Sequence, residues 1–64
     1  MQVGTLLKGR INGNLYIIKE RTMVYRNGKS DAGILGYRVA PCDDVAWSFL
    51  VSDYELKLRF MEIK

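Results

Sequence analysis

Period-two alternation in the C-terminal half is the feature that most narrows what this chain can fold into. Val45, Trp47, Phe49 and Val51 fall on one side of an extended backbone, with Ala46, Ser48 and Leu50 on the other. After the polar interruption Ser52-Asp53-Tyr54 the alternation resumes, with Leu56, Leu58 and Phe60 set between Glu55, Lys57 and Arg59. Successive side chains of a strand point to opposite faces, so this pattern puts one face in a core and the other in solvent. The spacing predicts strands over 45–51 and 55–60 joined by a single 3₁₀ turn, in which Ser52 or Asp53 accepts from nearby backbone amides. A helix over 52–64 is the alternative, because Leu56, Phe60 and Ile63 are four and three residues apart. It leaves Leu58 off the apolar face, whereas period two accommodates all three hydrophobic positions. After Phe60 the phase slips to Met61 and Ile63, which predicts a bulge or a frayed end.

Upstream, "RINGNLY" carries the first turn signal. Asn12-Gly13 can adopt the positive φ angles of a tight hairpin, which pairs residues 5–11 with 14–25. In the second of these strands Tyr16 and Ile18 are as apolar as Leu15 and Ile17, so both faces need cover. A long, bent strand shared between two sheets meets that need, and so does self-association through residues 15–18. "RNGKSDAGILG" reads as a loop, "YRVA" as a strand and "PCDD" as a turn. The expected fold is all-β, a single five-stranded domain over residues 1–64.

A chain of 64 residues is near the lower size at which apolar burial alone sustains a fold, and the single cysteine, Cys42, excludes an internal disulfide. Its 48% hydrophobic and 27% charged residues are a globular balance rather than a disordered one. No apolar run approaches the roughly 18 residues of a membrane span, and the N-terminal segment lacks the layout of a signal peptide. With one unpaired cysteine and a start at Met1 without a linker, the expectation is a complete small protein of the cytoplasm, with no membrane partner.

"FLVSDYELKL" resembles the end of the Src-homology-three-like barrels, where an apolar pair, a proline, a Ser-Asn-Tyr turn and an alternating strand succeed one another. Phe49, Leu50, Ser52, Asp53, Tyr54 and Leu56 match that pattern in type, and Val51 stands where the proline would be. The resemblance covers about ten residues plus the strand order. It implies a five-stranded barrel with a 3₁₀ turn before the last strand. It does not extend to proline-rich peptide binding: the N-terminal tyrosine motif is missing, the first half is basic, and only Tyr54 maps onto that binding set.

Chemistry-bearing residues are few. The chain has no histidine, which removes the commonest general base and metal ligand. Cys42 has no second cysteine to build a zinc site, and Asp43-Asp44 lacks the spaced oxygens of a calcium loop. Neither a metal, a cofactor nor an enzymatic activity is expected.

Two surfaces remain. Tyr37, Trp47 and Tyr54 are candidate anchors for a protein partner, since tryptophan and tyrosine dominate interface hot spots. Lys8, Arg10, Lys19, Arg21, Arg26 and Lys29 stand against Glu20 alone in residues 1–30, while residues 31–64 hold four cations against six carboxylates. Interleaved with Tyr16 and Tyr25, that basic set could instead contact the phosphates and bases of RNA or DNA. The favoured expectation is a non-enzymatic accessory or regulatory protein of a bacterium or phage that acts by protein contact. Nucleic-acid binding and assembly of copies of the chain are the alternatives.

Overall fold

The computed structural model describes residues 1–24 and 33–63. In chain order it contains β1 (Leu6–Gly9), β2 (Leu15–Val24), β3 (Ile34–Pro41), β4 (Phe49–Ser52), α1 (Asp53–Arg59) and β5 (Phe60–Glu62). The strands form one antiparallel sheet in the order β4-β3-β2-β1-β5. The mainly-β class and the number of strands are as expected, although the last strand is Phe60–Glu62 rather than 55–60. The expected barrel is not formed, because β4 and β5 are the two edges of an open sheet and do not pair.

The largest departure is at residues 53–59, a helix where period two predicts a 3₁₀ turn and a strand. Ser52 is extended and its hydroxyl accepts from the Glu55 amide at 3.2 Å, the N-cap geometry that a Ser-x-x-Glu spacing favours. Asp53 and Glu55 lie in the first turn and Lys57 and Arg59 in the last, each charge matched to the helix dipole. The pairs Asp53–Lys57 (3.1 Å) and Glu55–Arg59 (3.7 Å) are each four residues apart. The carbonyls at the far end are also satisfied: the Phe60 amide donates to Leu56, the Arg10 amide to Arg59 at 2.9 Å and the Arg10 guanidinium to Lys57 at 3.4 Å. These local bonds outweigh the alternation, at the cost of leaving Leu58 in solvent.

The β1–β2 connection is a five-residue turn rather than a two-residue hairpin. Asn12 Oδ1 accepts from the Asn14 amide at 2.9 Å, and Gly13 takes a φ of 73°, open to glycine at no steric cost. β2, expected to be shared between two sheets, lies in the middle of one, pairing with β1 through Leu15–Ile17 and with β3 from Tyr16 to Val24, and Leu15 on its outer face is left exposed. A bulge at Lys19 breaks its register: Ile18 faces Val39, and Glu20 faces Arg38. The extra residue lets Ile18 point into the core while Glu20 points out, although both are even-numbered.

β3 begins at Ile34, earlier than the loop reading placed it. Gly36 is required there, because a Cβ would meet the Val51 carbonyl oxygen at 2.8 Å and the Val24 side chain. β4 is shorter than the alternation implies. The Asp44 amide bonds to Pro41, the turn expected at "PCDD", and the Trp47 amide bonds to Asp44, a second turn that occupies the start of the expected strand.

The core joins Leu7, Ile18, Tyr37, Val39 and Val51 of the sheet to Leu56 of α1 and Phe60 of β5. Leu56 is the buried residue of the helix, so one side chain docks α1 on the sheet. Leu56→Ala is expected to cost about 2–5 kcal/mol, the usual range for such core truncations. Ser52→Ala is expected to cost about 1 kcal/mol through the lost cap. Urea midpoints of the two variants against the parent check both values; equal costs would remove Leu56 as the dominant contact.

Candidate functional site

Where the two unpaired edges approach each other, aromatic rings rather than hydrogen bonds span the gap. Phe49 at the start of β4 lies 6.3 Å from Phe60 at the start of β5, with their rings nearly parallel. Tyr16 of β2 stands edge-on to both, 6.1 Å from Phe49 and 5.0 Å from Phe60. Trp47 continues the row, 5.3 Å from Phe49. Such offset and edge-to-face pairs stabilise beyond the area they bury.

Over these rings opens a groove of about 400 Å³, which Gly9, Ile11 and Asn12 of the β1–β2 turn and Arg59 of α1 complete. Its floor is braced at Asn12. That side chain accepts from Asn14 and donates to the Tyr16 hydroxyl at 3.2 Å, so one residue ties the turn to the ring it overhangs. Its rim is apolar and solvated: Ile11 is 98% exposed and Trp47 55%.

The three anchors named from sequence do not form one surface. Trp47 lies in the groove. Tyr54, 72% exposed, stands on the first turn of α1 outside the groove lining, on the same side of the helix as exposed Leu58. Tyr37 is fully buried, which corrects its assignment as an exposed anchor. Its alternation partner Val39 and its cross-strand partner Val51 are both core residues, and the ring belongs with them.

Among the described residues the basic set does not converge either. Lys8 faces Leu15 on the outer side of the sheet, whereas Arg21 is opposite Tyr37 on the side that packs against α1. Lys19 Nζ donates to the Val45 carbonyl at 2.9 Å, and Arg10 is spent on the end of α1. Arg26 and Lys29 lie outside the described residues, as does Tyr25. Of residues 15–18, Ile18 is buried and Tyr16 turns to the groove, while Leu15 and Ile17 face outward with exposed Leu6, Met61 and Ile63. Cys42 is exposed beside Asp43, in a turn. No helix among the described residues is long and apolar enough to cross a membrane.

Sequence reasoning missed Ile11, Asn12, Phe49, Phe60 and Arg59 as groove residues. Ile11 alone carried a signal, a large aliphatic residue inside an Asn/Gly turn that has no core to enter. No protein-family model, curated protein or solved structure matches this chain.

Tyr37 anchors the other end of the helix. Its hydroxyl donates to Asp53 Oδ1 at 3.1 Å and accepts from the Met1 amine at 2.9 Å. The hydrogen bond from Lys57 holds the Asp53 carboxyl below its ordinary value; desolvation opposes this, and the Tyr37 hydroxyl assists it. Burial, followed by the bond to Asp53, pushes the Tyr37 phenol up.

A lowered carboxyl pKa contributes stability that is present above the unfolded-state value, about 3.9 for aspartate, and is lost as pH falls through the folded-state value. Asp53→Asn is therefore expected to be less stable than the parent at neutral pH and to approach it as the medium is acidified below that range. Urea midpoints along the acid limb check this, and a gap that stays constant with pH would remove the carboxylate as its source.

Proposed function

We propose that this chain is a non-enzymatic module that works by protein contact, and that its working surface is the aromatic groove at the open edge of the sheet. The observation that carries this reading is the position of Trp47. A large aromatic side chain, half exposed, stands on a floor of packed rings beside a fully solvated isoleucine. Exposing such groups costs hydration free energy of roughly 25 cal/mol per Å² of apolar surface, which a partner recovers on covering them. Rigid aromatic pockets of this kind are where interface energy concentrates.

A groove of this size, open at the surface, suits one or two inserted side chains of an extended segment rather than a large enclosed ligand. The dispersal of Lys8, Arg10, Lys19 and Arg21 favours protein contact over a nucleic-acid track, since phosphate binding needs cations aligned along one path.

Selection from a displayed library of short peptides tests this reading directly. Peptides with apolar anchors are expected to be enriched, to shift the emission of the single tryptophan on binding, and to lose tenfold or more in affinity for Trp47→Ala. Trp47 is half exposed, so that substitution spares the core, and equal binding by parent and variant would place the working surface elsewhere. Oligonucleotide binding that falls steeply with salt would favour the nucleic-acid alternative.

Assembly of copies has one observation in its favour, the outward strip Leu6, Leu15, Met61 and Ile63. All four are 40–50% exposed on adjoining strands. Sedimentation at two concentrations tests it; the monomer mass at both would exclude assembly.

A further inference from the structure

The polar side chains of the groove differ from its apolar lining in one respect: they offer donors and almost no acceptor. The two side-chain oxygens of the lining each already accept one bond, Asn12 Oδ1 from the Asn14 amide and Tyr16 Oη from Asn12 Nδ2. The Tyr16 hydroxyl proton and the Trp47 indole N–H have no acceptor among the described residues. Arg59 brings a guanidinium, five donors on a planar fork with no acceptor. It is also the charged residue of the lining.

Its carboxylate contact among the described residues is weak. Glu55 lies 3.7 Å away, and the two side chains are 56% and 62% exposed. Exposed helical pairs of this kind contribute only a few tenths of a kcal/mol, so the guanidinium is available to a better acceptor. The Arg59 backbone is fixed more firmly, because its carbonyl accepts from the Arg10 amide at 2.9 Å, which sets where its side chain begins beside the groove.

We infer that the groove takes an acidic, apolar-anchored peptide segment: an aliphatic or aromatic side chain seated on Tyr16, Phe49 and Trp47, with the carboxylate of a neighbouring Asp or Glu received by Arg59. This rests on the groove being the contact surface, and adds the chemistry of its occupant. Apolar area supplies the affinity. The carboxylate supplies the selectivity, because a buried donor left without an acceptor is penalised more than a matched one is rewarded. Arg59 exchanges Glu55 for the incoming carboxylate, a fork-to-fork contact stronger than the long surface pair it replaces. A basic segment would place like charge against Arg59 and leave the other donors unmet.

The test uses the full chain and a display library whose peptides are fused at their C-termini, so that side chains are the carboxylates on offer. Enriched peptides are expected to carry Asp or Glu within two residues of an apolar anchor. Binding is then measured for one such peptide and for its Asp→Asn or Glu→Gln counterpart, against the parent and against Arg59→Gln. Each single change is expected to weaken binding about tenfold, and both together no further, since they remove the same contact. Arg59→Lys, which keeps the charge without the planar fork, is expected to fall between.

Arg59→Gln binding as well as the parent, with Trp47→Ala still defective, would overturn the carboxylate assignment and leave the groove standing. Enriched peptides without acidic residues would do the same. Unchanged binding by Trp47→Ala would remove the groove itself and the inference with it. Salt-steep binding of single-stranded oligonucleotide that requires both Trp47 and Arg59 would reassign the donors to phosphate and overturn the peptide.

Discussion

The docking of Leu56 against the sheet is the contact on which the rest of the structure depends. An open sheet of five short strands has two faces and two edges to protect, and 64 residues leave little with which to protect them. α1 does three things at once. It covers one face through Leu56, carries the chain from one edge strand to the other, and brings Arg59, with Phe60 directly after it in β5, to the gap between them. A seven-residue helix is too short to persist alone, so its caps and ion pairs matter only because the sheet holds it.

The groove is the counterpart of that arrangement. Because β4 and β5 do not pair, their meeting point is closed by rings, and rings can be half covered in a way that a ladder of backbone hydrogen bonds cannot. The same openness that departs from a barrel leaves Trp47 and Ile11 in solvent. At the opposite end of the helix Tyr37 and Asp53 form a polar contact buried on one side, so α1 is held at its start by hydrogen bonds and at its end by the Arg10 backbone and side chain.

Much of the sheet was legible in the sequence. Asn12-Gly13 located the first turn, whereas the doubled apolar character of Leu15–Ile18 suggested a strand shared between two sheets or a contact between copies, and β2 lies in one sheet with Leu15 exposed. The end of the chain was misread because alternation and helical spacing coincide over Leu56 to Phe60, and period two fitted one more residue. Ser52 and Glu55, three apart, with acids first and bases last, held the decisive signal. That signal is local and polar, and an apolar count ignores it. The groove was harder to foresee. Trp47 was identified, but Phe49 and Phe60 are eleven residues apart and meet only because the sheet curls, a property of twist rather than of pattern. Tyr37 was assigned to the surface for its residue type, and burial of its ring was decided by Val39 and Val51 beside it.

The bulge in β2 also sets how this chain can vary in length. Lys19 is supernumerary to the β2–β3 ladder: the pairs Ile18–Val39 and Glu20–Arg38 stand on consecutive rungs of β3 and need no residue between them. A relative lacking this one position would keep every rung on either side and simply straighten the strand, losing the bond from Lys19 to the Val45 carbonyl. Loss of either neighbour would instead leave Lys19 to fill a vacated rung, with an ammonium in place of a buried isoleucine or of the carboxylate beside Arg38. Single-residue deletions within this strand are therefore confined, by geometry, to one site.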